Sequence, residues 1–69
     1  MIILYTTHCP QCEILEKKLK AKNFQYQVCD DIDTMLMKGF RAAPNLEVDG
    51  TVYNFKDAVI WVNQQEAQG

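Results

Sequence analysis

The chain has 69 residues, of which 48% are hydrophobic and 23% are charged, and its formal net charge is −2. This length limits it to one domain, predicted over residues 1–69 with a fraying tail at about 67–69. The slightly acidic balance argues against a nucleic-acid-binding protein, and no apolar run reaches the roughly 18 residues that a membrane-spanning helix needs.

The first two predicted elements are a strand and a helix. The apolar run IILY at 2–5 is typical of a buried strand. A helix is expected over about 10–22, because Pro10 suits a first helical turn. Three apolar residues at helical spacing predict its buried stripe: Ile14, Leu15 and Leu19. Four lysines are expected to form its solvated face: Lys17, Lys18, Lys20 and Lys22.

The middle of the chain predicts a second strand and a short helix. FQYQVCD at 24–30 alternates apolar and polar residues, which places Phe24, Tyr26 and Val28 on the core face of a strand. In DDIDTMLMKGF, an aspartate can cap a short helix and Gly39 can end it. The apolar residues of that helix are Ile32, Met35 and Leu36.

The last part predicts a hairpin and a final helix. NLEV at 45–48 and TVYNF at 51–55 read as strands joined by the two-residue turn DG. Asp57 is expected to cap the last helix. The order β-α-β-α-β-β-α predicts an α/β fold, a mixed four-stranded sheet with flanking helices, in which the first two strands are parallel.

Three cysteines bear on location and chemistry: Cys9, Cys12 and Cys29. The start MIILYTT lacks the basic region and cleavage site of a signal peptide, so the protein is expected in the cytoplasm, where stable disulfides are rare. An odd number of cysteines also fits poorly with a fully paired disulfide framework. Cys9 and Cys12 are therefore expected to have a chemical role rather than to form a structural disulfide.

Cys9 and Cys12 lie at the predicted junction of the first strand and the first helix. Free backbone N–H groups and the helix dipole stabilise a thiolate on Cys9, and the thiolate is the form that attacks a disulfide. Cys12, less than one helical turn later, can resolve the resulting mixed disulfide. This spacing predicts a thiol–disulfide oxidoreductase, and a protonated His8 would favour the Cys9 thiolate.

Other functions for the same residues remain open. One alternative is a zinc or iron–sulfur site on Cys9 and Cys12, in a monomer or a bridged dimer. For zinc, the further candidate ligands are His8 and Cys29, although Cys29 is expected at the far end of the second strand. A redox-inert domain that docks peptides is a third reading. His8 can be an ordinary loop residue, and Cys29 an ordinary strand residue or a third redox group.

The segments HCPQC, after the first strand, and AAPNLEVDG, leading into the hairpin, resemble the glutaredoxin branch of the thioredoxin superfamily. The likeness covers nearly the whole chain and implies the thioredoxin fold in its minimal form. It implies that Cys9 is the exposed nucleophile and Cys12 the resolving thiol. It also implies a cis Pro44 beside the disulfide, and an Ala43 backbone that accepts an extended peptide or glutathione. The implied substrate-binding residues are His8, Pro10, Gln11, Ala43 and Pro44.

The resemblance also implies partners. Gln11 and the stretch KGFRAAP are closest to redoxins that feed electrons to ribonucleotide reductase and are reduced by thioredoxin reductase with NADPH. Glutathione is the alternative electron source, but Asn54 and Phe55 stand where glutaredoxins carry a Gly-Gly turn that helps to hold it. A monomer without a bound cofactor is expected. Lys38 and Arg41, near the active edge, either meet an acidic segment of a client or are ordinary surface charges.

Overall fold

The computed structural model describes residues 1–67 and has the predicted element order. The strands are β1 (Ile2–Tyr5), β2 (Gln27–Cys29), β3 (Asn45–Val48) and β4 (Thr51–Tyr53). The helices are α1 (Pro10–Ala21), α2 (Ile32–Met37) and α3 (Phe55–Gln64). Within the described range, no helix has both the length and the apolar character that crossing a membrane requires. Of the tail predicted at 67–69, residues 68–69 lie outside this range.

The four strands form one mixed sheet in the order β2-β1-β3-β4. β1 and β2 are parallel with α1 as their crossover, whereas β3 is antiparallel to both of its neighbours. The predicted α/β class, with a mixed four-stranded sheet and flanking helices, is confirmed. Because parallel strands end at the same edge of a sheet, the start of α1 lies near the end of β2.

The core lies between the sheet and the two longer helices, α1 and α3. Six fully buried side chains form it: Leu4, Leu15, Leu19, Leu46, Ala58 and Val62. The predicted stripe of α1 is confirmed for Leu15 and Leu19 but is wrong for Ile14, which is 46% exposed. Successive helical residues are about 100° apart, so the residue before a central core position turns toward the edge of the interface.

β2 is shorter than the alternating pattern predicts. Phe24 and Tyr26 do pack against the core, but they precede the strand. Val28 lies within the strand and is 48% exposed, so its predicted burial is wrong. β2 is an edge strand, and a side chain there has a neighbouring strand on one side only.

The two later helices also differ from expectation in detail. In α2 only Met35 is buried, whereas Ile32 and Leu36 are exposed. α3 begins two residues earlier than Asp57, because Asn54 is its N-cap and accepts the N–H of Asp57 through Oδ1 at 2.8 Å. An N-cap side chain reaches the N–H group two or three residues ahead, so Asn54 ends the hairpin and starts the helix.

Two turns use left-handed backbone where the sequence supplies suitable residues. The Asp49–Gly50 turn has positive φ at both positions, as a two-residue hairpin requires. Gly39 has φ +82 and ends α2, where the N–H of Phe40 donates to the carbonyl oxygen of Met35 at 2.9 Å. This bond turns Phe40 inward, edge-on to Tyr5 with ring centroids 4.9 Å apart. These contacts of Phe40 therefore fix the start of the loop that leads to Pro44.

Lys22 joins the end of α1 to the end of α3. Its Nζ donates to the backbone carbonyl oxygens of Val62 at 2.7 Å and Asn63 at 3.2 Å, and to that of Gln65. Carbonyl groups in the last turn of a helix have no partner within the helix, and a cation also complements the helix dipole there. The prediction that Lys22 belongs to a solvated face is therefore wrong.

Replacing Lys22 with methionine should lower the free energy of unfolding by about 1–2 kcal/mol, because the substitution keeps the aliphatic stem but removes the donors. For a domain of this size, that corresponds to a fall in Tm of several degrees, measurable by circular dichroism. Lys20→Met is the matched control, since Lys20 is exposed and its Nζ pairs with the Glu16 carboxylate at 3.5 Å rather than with the end of α3. Equal Tm values for the two variants would contradict the proposed role of Lys22.

Candidate redox site

Cys9 is the N-cap residue of α1, directly before Pro10, as predicted. Its Sγ accepts the backbone N–H of Cys12 at 3.2 Å, and its carbonyl oxygen accepts the N–H of Glu13 at 3.0 Å. Serine, threonine, aspartate or asparagine usually supplies the acceptor at this position, and here a sulfur atom takes that part. Because the helix N-terminus carries partial positive charge, this environment favours a thiolate.

The sulfur atoms of Cys9 and Cys12 lie 2.7 Å apart, and both residues are free cysteines. Their exposure differs: the Cys12 residue is 1% exposed, whereas Cys9 is partly exposed. A large molecule can therefore reach only the Cys9 sulfur. Cys12 lies behind it, close enough to form a bond with it after a small rotation.

The Cys12 thiol has a lowered pKa. Burial raises the pKa of the Cys12 thiol, but hydrogen bonds with Cys9 and Thr6, and with backbone groups of Thr7 and Cys9, outweigh it and lower the pKa to about 7 from its ordinary 9.0. Either sulfur can donate the S–H that lies between them. The hydrogen bond between the two sulfurs therefore helps to stabilise a thiolate on Cys12, whereas the sequence predicted the thiolate on Cys9 alone.

This lowered pKa predicts that the reduced protein becomes more stable as pH rises from about 7 to 9. In that range folded Cys12 has lost its proton, whereas the unfolded thiol still holds one, so folding is favoured at higher pH and the gain disappears below pH 7. One pKa unit is worth about 1.4 kcal/mol, so the shift from 9.0 to about 7 gives a gain of about 3 kcal/mol. Urea unfolding of the reduced protein at several pH values measures it. Cys12→Ala should lose this dependence, and an unchanged slope in that variant would contradict the assignment.

Two threonines before the motif hold the segment between β1 and α1, and they were not predicted as site residues. Thr6 is 2% exposed, and its Oγ1 accepts the backbone N–H of His8 at 2.9 Å. Thr7 places its Oγ1 4.0 Å from the Sγ of Cys12. The only sequence signal for them is their place between an apolar strand and a cysteine motif, where hydroxyl groups can bind nearby backbone groups.

His8 turns the chain from β1 into α1 with a left-handed backbone, φ +61. Its imidazole is 65% exposed, and its Nε2 lies 3.4 Å from Oδ2 of Asp30. Asp30 directly follows β2, so the parallel pairing of Tyr5 with Cys29 brings it to this edge. The one polar side-chain contact found for His8 within residues 1–67 is with Asp30, and its effect on the Cys9 thiolate stays a prediction.

The other predicted site residues lie at the same edge. The peptide bond between Ala43 and Pro44 is cis, as the resemblance implies, and Pro44 is buried. Tyr5 pairs with Asn45 at the end of β1 and the start of β3, so Pro44 lies at this edge of the sheet, and Ala43 and Thr7 line one groove there. The two remaining predicted residues, Pro10 and Gln11, are exposed in the first turn of α1.

Cys29 ends β2 opposite Tyr5, so it lies at the same sheet edge as the cysteine pair and not at the far end that the sequence suggested. Its carbonyl oxygen accepts the N–H of Thr6 at 3.0 Å. Within residues 1–67, however, no three side chains of histidine, cysteine, aspartate or glutamate are grouped in a way that could hold a metal ion. The set of His8, Cys9, Cys12 and Cys29 considered for zinc is therefore not assembled.

No family model, no curated protein and no solved structure matches the chain. The functional assignment therefore depends on the site itself: a partly exposed Cys9 and a buried Cys12 at the start of α1, at the same sheet edge as a cis Pro44.

Proposed function

We propose that this protein is a small thiol–disulfide oxidoreductase of the glutaredoxin type, with the thioredoxin fold, that reduces disulfides in client proteins. The observation that carries the proposal is the placement of one partly exposed and one buried sulfur 2.7 Å apart at the N-terminus of α1. This placement favours ionisation, presents one sulfur to a client, and holds the second within bonding reach.

The reaction has two thiol–disulfide exchange steps. The Cys9 thiolate attacks one sulfur of the client disulfide, which forms a mixed disulfide and releases the other client sulfur as a thiolate that takes up a proton. The Cys12 sulfur, as a thiolate, then attacks the Cys9 sulfur, and the remaining client sulfur leaves in the same way. Overall the client gains two electrons and two protons, and Cys9 and Cys12 become a disulfide.

A separate thiol or dithiol donor must reduce this disulfide again, and two sources are implied by the resemblance. The start of α3 argues against glutathione, because Asn54 already caps the helix through the N–H of Asp57 and Phe55 packs against the core. These side chains occupy the position where glutaredoxins leave backbone groups open between two glycines. We therefore favour thioredoxin reductase with NADPH as donor and ribonucleotide reductase as the leading client.

A coupled assay run in two versions tests the proposal. One version supplies NADPH and thioredoxin reductase, and the other supplies NADPH, glutathione and glutathione reductase. Both contain insulin as the disulfide substrate, and NADPH oxidation is followed. Turnover in either version supports the oxidoreductase, and turnover with thioredoxin reductase alone supports the favoured donor. If neither version turns over, and reduced protein also fails to reduce insulin stoichiometrically, the proposed function is wrong.

A further inference from the structure

A groove of about 160 Å³ lies between α2 and the loop that precedes Pro44. Its apolar side is formed by Ile32, Met35, Leu36 and Phe40. Ile32 and Leu36 are 59% and 64% exposed, although they are large apolar side chains. Single exposed apolar residues are common, but two that line one concave surface form a patch of the kind that receives a partner.

The groove opens beside the cysteine pair. Thr7 and Ala43 also line it, and Oγ1 of Thr7 is 4.0 Å from the Cys12 sulfur. No hydrogen bond to the backbone N–H or carbonyl of Ala43 is found within residues 1–67. An extended peptide that pairs with these groups would therefore pass both the reactive sulfur and the groove.

The charge of the groove distinguishes one kind of peptide from others. Arg41 lines the groove and pairs with no acidic side chain in the described part of the chain. The neighbouring Lys38, in contrast, is engaged with Glu47 at 3.7 Å and lies 5.6 Å from the ring centroid of Tyr5. A guanidinium group without an acidic partner binds carboxylates well, so the groove is complementary to an acidic segment.

We propose that the α2 groove selects the client segment, and this inference rests on the proposed function. The preferred client is an extended segment in which an apolar side chain lies within two residues of the reactive cysteine and an acidic residue follows. The apolar side chain fills the space between Ile32 and Leu36, and the acidic side chain meets Arg41. Since a strand advances about 3.3 Å per residue, such a short segment reaches from the sulfur to the groove.

The test uses short peptides whose single cysteine is joined through a disulfide to a chromogenic aryl thiol. Fully reduced protein is mixed with each peptide, and the second-order rate constant of thiol release is measured without any reductase. The reference peptide carries leucine and glutamate after the cysteine, a second carries serine in place of leucine, and a third carries lysine in place of glutamate. Hydroxyethyl disulfide is too small to reach the groove, so it serves as the control substrate. Its reduction is followed through the formation of the Cys9–Cys12 disulfide in the protein.

Leu36→Ser should slow reaction with the reference peptide by about tenfold, since it removes apolar contact worth about 1.4 kcal/mol. Arg41→Glu should slow the same reaction by about five- to tenfold and should instead speed reaction with the lysine peptide. Neither variant should change the rate with hydroxyethyl disulfide. Met37→Ser is the matched control, because Met37 is 89% exposed on the same helix but does not line the groove.

Two results separate this inference from the function on which it rests. If wild-type protein reduces hydroxyethyl disulfide, and if the three peptides react at rates equal to one another, the groove selects nothing. The inference is then overturned while the proposed function stands. The same conclusion follows if Leu36→Ser and Arg41→Glu behave like Met37→Ser. If wild-type protein reduces none of the four substrates, the proposed function is wrong, and the inference that rests on it is wrong as well.

Discussion

Replacing Cys9 with serine should abolish the reduction of disulfides, with a loss of about 10³-fold or more in the insulin assay. A serine hydroxyl can keep the capping position at the start of α1, but it does not ionise near neutral pH and cannot form a disulfide. The buried Cys12 sulfur, 1% exposed as a residue, cannot replace it because a protein client does not reach it. Near-normal turnover by this variant would show that Cys9 is not the nucleophile.

Replacing Cys12 with serine should have a different effect, because the first exchange step remains and the second is lost. The variant should release one thiol per protein molecule and then stop as a mixed disulfide with the client, which mass spectrometry detects. Cys29→Ser is the matched control for the removal of a cysteine at the same sheet edge, and it should turn over normally. If the Cys9 variant accumulates the mixed disulfide instead, the two roles are reversed.

Replacing Leu15 with alanine should remove a large part of the free energy of unfolding of the protein. Leu15 is fully buried among Leu4, Leu46 and the other core side chains, and deleting such a side chain costs about 2–5 kcal/mol. A domain of this length has a total stability of about 3–10 kcal/mol. Urea unfolding followed by circular dichroism measures the loss.

Ile14→Ala is the matched control for the core substitution, since the residue is adjacent on α1 and is 46% exposed. It should change the free energy of unfolding by less than about 1 kcal/mol, because little apolar surface is lost and alanine favours helix. If Ile14→Ala and Leu15→Ala were equally destabilising, the described orientation of α1 on the sheet would be wrong.

Much of the secondary structure follows from local signals in the sequence. Pro10 and the apolar spacing predict α1 to within one residue of its end, and the Asp49–Gly50 pair predicts the hairpin turn. The order of the elements predicts the mixed sheet, because a helix between two strands implies a parallel pair. The same local reasoning places Cys9 at the helix start with Cys12 one turn on, and the structure has both residues there.

Contacts between distant segments were not predicted. Lys22 caps α3 and Asp30 meets His8, although no pattern within any one segment indicates these contacts. The exposure of Val28 depends on the edge position of β2, which the strand's own alternation cannot reveal.

The sequence by itself thus determined which elements form, in what order, and where the cysteine pair lies on them. Turns, caps and apolar periodicity act over a few residues, so they can be read from the chain directly. The tertiary structure decided which sulfur is exposed, which hydrogen bonds lower the pKa of the Cys12 thiol, and which groove lies beside the pair. Those properties depend on burial and on hydrogen bonds between segments far apart in the chain, and only the packing of the sheet and helices brings these segments together.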